Sequence, residues 1–206
     1  VDAIAPSAPT IQPSNGAALS GTAEAGSTVT VTGPGGNVIG QTTTAANGNW
    51  TITPTGTLTN GTVVTAVAHD AAGNISGSSS TTIDSVAPAT PTIQPSRGIV
   101  LTGTAEAGST VILTGPGGTA IGQTIAAANG TWSFPPQTPL ANGTVVNVVA
   151  RDAAGNTSGS TTTTIDSQAP NAPSNLFVSA DGTLLTGSAE AGSQVRIVVN
   201  GNVANP

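Results

Sequence analysis

The sequence predicts an all-β chain of tandem seven-stranded β-sandwiches arranged end to end, with a partial third repeat. Three observations predict it. The 206 residues repeat at an interval of 82: PTIQPS at 9–14 returns at 91–96, LSGTAEAGSTV at 19–29 returns as LTGTAEAGSTV at 101–111, and DAAGN at 70–74 returns at 152–156. Such a period signals an array of similar units. Apolar residues alternate with polar ones in runs rich in Thr and Val, as in STVTVTG (27–33) and TVVNVVARD (144–152). Gly, Pro and Asn clusters then break these runs every ~8–12 residues, the spacing of short strands in a two-sheet sandwich. The units are residues 1–83, residues 84–165, and the N-terminal part of a third repeat, truncated, over 166–206.

Taken in order through the first repeat, an opening strand is expected at 8–13, where Thr10, Ile11 and Gln12 alternate between two prolines. A second spans 18–24 and a third spans 27–33, whose Val29 and Val31 alternate with threonines. GPGGNV (33–38) turns the chain into a fourth strand at 37–44, and NGNW (47–50) leads into a fifth at 49–54. TNGT (59–62) precedes the sixth, 62–70, and DAAGN precedes the seventh, 76–84. Trp50 and Trp132 occupy matching positions, and the alternation around them reads as core packing. An up-and-down order of these strands returns the chain to the same pole after every second strand.

Composition excludes several classes. Net charge is −6, there is no lysine, and Arg97, Arg151 and Arg196 are the sole basic residues apart from His69. Nucleic acid and anionic membrane surfaces both need cationic clusters, so neither is an expected partner. No run has the ~20 apolar residues of a membrane-spanning helix, so direct membrane insertion is not expected. With 0 cysteines a disulfide framework is excluded. The same lack, with a single histidine that the second repeat replaces by Arg151, leaves no recurring nucleophile–base pair for catalysis. His69 reads as a surface residue.

The carboxylates carry the functional signal. Asp2, Asp84 and Asp166 follow one another at 82 residues, as do Glu24 and Glu106, and Asp70 and Asp152; Glu190 follows Glu106 by 84. Asp181 alone stands outside the pattern. On the expected sandwich the linker, the AEAGS loop and the DAAGN loop share one pole. Asp2, Glu24 and Asp70 then converge at the head of the first repeat. Asp84, Glu106 and Asp152 converge at the joint between the first two, and Asp166 and Glu190 begin a third cluster. Like charges gathered in this way need compensation. A hard divalent cation supplies it, and calcium (Ca2+) accepts six to eight oxygen ligands from carboxylates, amides and carbonyls in forgiving geometry. Zinc would call for His or Cys. Asn74 and Asn156 offer further oxygens.

SGTAEAGSTVTV, NGNWTIT, AVAHDAAGNISG and TTIDSVAPATPTI resemble the bacterial Ig-like tandem repeats of giant cell-surface adhesins and biofilm-associated proteins. The resemblance covers both full repeats and the remnant. It departs in the remnant, where PSNLFVSADGTLL stands for PTIQPSRGIVL with two residues inserted. What it implies is Ig-like sandwiches in a protein exported by type I secretion and displayed outside the cell at the bacterial surface. It also implies a non-enzymatic extension or spacer role in adhesion and biofilm formation, with calcium stiffening the joints. The metal ligands carried over are Asp2, Glu24 and Asp70, then Asp84, Glu106 and Asp152, then Asp166 and Glu190. The expected partners are neighbouring repeats of the same chain, with host or biofilm-matrix components reached through other parts of the parent protein.

Two other functions compete. A glycan- or matrix-binding module would need exposed aromatics or a variable loop, and the near-identity of the repeats favours spacing over recognition. An ice-binding face is suggested by Thr28, Thr30 and Thr32, but the second repeat has Thr110, Ile112 and Thr114, which interrupts the array. The six N-x-[ST] sequons, at Asn49, Asn60, Asn74, Asn129, Asn142 and Asn156, read as turn chemistry.

Overall fold

Alternating burial along each strand builds the first repeat. The structure, a computed structural model, describes residues 2–199 and 202–203. Strands β1 (Leu19–Thr22), β2 (Thr28–Thr32), β3 (Val38–Thr43), β4 (Asn49–Ile52), β5 (Val63–His69) and β6 (Ser79–Thr82) form it. The second repeat copies them as β7 (Leu101–Thr104), β8 (Thr110–Thr114), β9 (Ala120–Ile125), β10 (Thr131–Phe134), β11 (Val145–Arg151) and β12 (Thr161–Thr164). Inward-facing Leu19, Val29, Val31, Trp50, Ile52, Val64, Ala66, Ala68 and Ile83 make one core. Leu101, Val111, Leu113, Ala126, Trp132, Val146, Val148 and Ile165 make a separate one. Both tryptophans are core residues, 2% and 3% exposed.

The expected up-and-down order is corrected by the pairing. In the first repeat β1 pairs with β4, while the second sheet runs β3-β2-β5-β6; the second repeat pairs β7 with β10 and orders its larger sheet β12-β11-β8-β9. The chain therefore crosses between sheets after β1, β3 and β4. Period-two alternation tells which side of a strand is buried and is silent on which strand lies beside it. Every pairing within these sheets is antiparallel. Direction along the chain thus still alternates, and the loops fall at the poles expected from the simpler order.

The opening segment 8–13 is also corrected. It forms no regular strand, although the Thr10 and Gln12 N–H groups donate to the Thr22 and Ser20 carbonyls at 2.8 and 2.9 Å. Pro9 and Pro13 have no N–H to extend that ladder. This segment crosses β1 so closely that a Cβ on Gly21 would collide with the Thr10 carbonyl and the Trp50 ring. Gly103, Thr92 and Trp132 repeat the arrangement.

In the third unit β13 (Ser174–Val178) pairs with β14 (Leu185–Ser188), and β15 (Val198–Val199) pairs with β16 (Asn202–Val203). Leu185 is 43% exposed where its counterpart Leu101 is fully buried. The end of the third unit, at 200–201 and 204–206, lies outside the described residues.

Candidate functional site

The pole at the head of the first repeat is assembled from three loops. Thr28 at the start of β2 pairs with both Thr43 at the end of β3 and His69 at the end of β5. The Ala23 N–H donates to the Gly48 carbonyl and the Gly26 N–H to the Thr44 carbonyl, at 2.9 and 3.1 Å. The β1–β2 loop is closed by Ser27, whose N–H and hydroxyl both donate to the Glu24 carbonyl at 3.1 and 2.7 Å. That closure turns the Glu24 side chain outward, where it is exposed. Asp2, Glu24 and Asp70 line one concavity together with Ala25, Gly26, Ser27, Ala71 and Ala72.

Asp70 organises the DAAGN turn. Its Oδ1 accepts from the Ala72 and Asn74 N–H groups at 2.9 and 2.8 Å, and its Oδ2 accepts from Asn74 Nδ2 at 2.7 Å. Donation by the Asn74 amide, helped by these backbone bonds, lowers the Asp70 pKa below the usual aspartate value. Gly73 completes the turn at φ 90°, a conformation that favours glycine. Asp152 receives the same pair from Asn156, 2.9 Å from its N–H and 2.8 Å from its Nδ2.

The linker aspartates each cap a short turn. Asp2, Asp84 and Asp166 accept, through Oδ1, the N–H of Ile4, Val86 and Gln168 at 3.0, 3.0 and 3.1 Å. In the third cluster Glu190 Oε2 accepts the Asn171 N–H at 3.3 Å, so this carboxylate meets the linker five residues beyond Asp166. Among the described residues no three carboxyl or imidazole groups close on a common point. Asp2, Glu24 and Asp70 surround a concavity without meeting, and Asp84 reaches the Asp152 loop through its main-chain carbonyl.

The donor set suits a hard cation. Every side chain lining the first concavity that could serve as a ligand offers oxygen, and the Asn74 Nδ2 lies 3.3 Å from both the Asp2 and Ile4 carbonyls while touching Asp70. Two carbonyls and a carboxylate therefore already gather around one side-chain amide.

Several residues of the joint are not carboxylates. Asn60 Oδ1 accepts the Ser85 N–H and Asn142 Oδ1 accepts the Ser167 N–H, at 3.0 and 2.9 Å. The Ser14 and Ser96 carbonyls accept the Asp84 and Asp166 N–H groups at 3.0 and 3.1 Å. Recurrence of Asn60 and Asn142 at the 82-residue interval is the signal that marks them. A turn asparagine and one that reaches a linker look alike in sequence. Arg151 packs over Gly155, a place that the side chain of Asn15 also approaches from the first repeat.

The bacterial Ig domain family model matches residues 5–84, 87–167 and 169–205. No curated protein matches the chain. Among solved structures the chain is similar to the BSP domain of a biofilm-associated protein, at 22% identity over 79% of this chain and 30% of that one, with a TM-score of 0.36. It is similar to the FN1–FN3 domains of chicken CNTN1 at 14% identity over 78% of this chain and 66% of that one, TM-score 0.51, a likeness of fold. A third is a structure from a 1.5-MDa bacterial ice-binding adhesin, at 19% identity over 95% of this chain and 81% of that one, TM-score 0.30. With family matches over nearly its whole length, two of them on the two sandwiches described above, the chain belongs to the bacterial Ig domain family.

Proposed function

We propose that this chain is a non-catalytic spacer of a bacterial surface adhesin, displayed outside the cell, whose inter-repeat joints bind calcium and stiffen when they do. The observation that carries the reading is the concavity lined by Asp2, Glu24 and Asp70, drawn from linker and two loops, with its carboxylates recurring at Asp84, Glu106 and Asp152. Family membership and the near-identity of the repeats support a role in extension. A module that recognises a ligand would be expected to differ from its neighbour at some loop or exposed aromatic.

The residues divide the work. Asp2, Asp84 and Asp166 each spend Oδ1 on a linker turn and keep Oδ2 for a ligand. Glu24 and Glu106 stand on loops closed by Ser27 and Ser109, free to swing toward the linker. Asp70 and Asp152 are oriented by their own turns. A bound calcium ion would supply positive charge that offsets the mutual repulsion of these groups and ties linker to loops. The swing of Glu24 and Glu106 is the motion that would close the site.

Calcium at 100 times its dissociation constant stabilises by about 2.7 kcal/mol per site. For a domain of this size that is a melting shift of roughly 10–20 °C. The test is X-ray scattering and thermal melting of the chain in EDTA and in millimolar calcium. The expected result is a larger maximum dimension and a higher melting temperature with calcium, both lost in a Glu24→Gln, Glu106→Gln, Glu190→Gln variant. Identical curves in the two buffers would overturn the reading.

A further inference from the structure

We propose that the joint between the first two repeats is held by a hydrogen-bonded clasp on the Asp84–Ser85 peptide, with Asn60 and Asn156 as positioning residues, and that this clasp needs no cation. The peptide between these residues is one rigid plane. Its N–H, on Ser85, donates to Asn60 Oδ1 of the first repeat at 3.0 Å. Its C=O, on Asp84, accepts from Asn156 Nδ2 of the second repeat at 2.8 Å. Both repeats therefore grip the same plane, and no main-chain torsion lies between the two grips.

The arms of the clasp are themselves held. Asn156 is oriented by Asp152, which accepts from both its Nδ2 and its N–H. On the other side, the Asp84 N–H donates to the Ser14 carbonyl at 3.0 Å, a second anchor to the first repeat just before the shared plane. The same parts recur along the array. Asn74 grips the Asp2 carbonyl in the first linker, and Asn142 grips the Ser167 N–H in the third. Calcium-driven stiffening, as proposed above, acts through carboxylates. The clasp acts through two side-chain amides, so it goes beyond that reading and does not depend on it.

The absence of cysteine allows a direct test on the full chain. Thr51→Cys and Ser133→Cys, both exposed on strands of the smaller sheets, take spin labels, and the distance distribution between them is measured in EDTA. Asn60→Ala and Asn156→Ala are each expected to broaden that distribution at least twofold, while Trp50 and Trp132 fluorescence shows both repeats folded. Asn129→Ala is the control, because Asn129 caps a turn of the second repeat through Thr131 and touches no linker. Unchanged width in Asn60→Ala and Asn156→Ala would overturn the clasp, and so would equal broadening in the control. All measurements are made without calcium, so failure of the calcium reading would leave the result standing, and the reverse holds.

Discussion

Gly103 shows how one missing side chain can decide a fold. The segment before β7 lies so close that any Cβ there would sit inside the Thr92 carbonyl and against the Trp132 ring. The obstacle is main chain on one side and a buried indole on the other, so neither can yield cheaply. Gly103→Ala is therefore expected to cost more than about 3 kcal/mol, read as a lower urea midpoint by Trp132 fluorescence in a Trp50→Phe background. Polar residues act more gently. Asp181 is drawn down from 3.8 to about 2, first by the Ser179 hydroxyl and then by the Thr183 N–H and hydroxyl. Asp70 is lowered in the same sense, chiefly by Asn74. A depressed carboxyl contributes stability that is complete above its unfolded pKa and lost as pH falls through the folded one. For Asp181 that window runs from about 3.8 down to about 2. Carboxyl carbon NMR titration should find both groups below the usual aspartate value, and Ser179→Ala should return Asp181 toward 3.8.

Strands β2 and β5 are the centre of the first repeat's larger sheet, as β8 and β11 are of the second's; β2 and β5 are bonded on both edges and buried at Val29, Val31, Val64, Ala66 and Ala68. The segment at 8–13 has two ladder bonds and prolines, and the β13–β14 pair leaves Leu176, Phe177 and Val178 exposed. Local opening free energies should follow that contrast. Hydrogen exchange is expected to be slowest at amides of β2, β5, β8 and β11, and at least a hundredfold faster in β13 and β14. Equal protection in all of these would contradict the packing. The same elements show how far the sequence could be read. Six of the seven strands expected in the first repeat appear, because Val–Thr alternation reports burial directly. The first does not, because Thr10–Ile11–Gln12 alternates as a strand would while Pro9 and Pro13 withhold the donors a strand needs. Pairing order stayed hidden because it depends on contacts between distant segments. The pole shared by Asp2, Glu24 and Asp70 was nevertheless legible, since it requires only that direction alternate. How near those carboxylates come to one another was not, because exposed side chains on loops carry no periodic signature.

The two sandwiches have cores that share no residue, and polar groups meet at their joint: the Asp84–Ser85 peptide, Asn60, Asn156 and the approach of Asn15 to Gly155. Apolar burial is what couples unfolding over distance, and neither core cluster draws a residue from the other repeat. Each repeat should therefore melt as its own cooperative unit, large enough for a core to suffice without disulfides. Leu101, fully buried in the second core, tests this. Leu101→Ala is expected to lower the stability of the second repeat by about 2–5 kcal/mol. The first repeat should stay within about 0.5 kcal/mol of the parent, as expected for sites with no shared partners. One tryptophan per core makes the separation measurable: urea curves of Trp132 should shift in a Trp50→Phe background, while those of Trp50 in a Trp132→Phe background should not. If both curves moved together, the joint would transmit folding energy as well as orientation. Damage then stays local, because a repeat that unfolds leaves its neighbour folded and the chain between them intact.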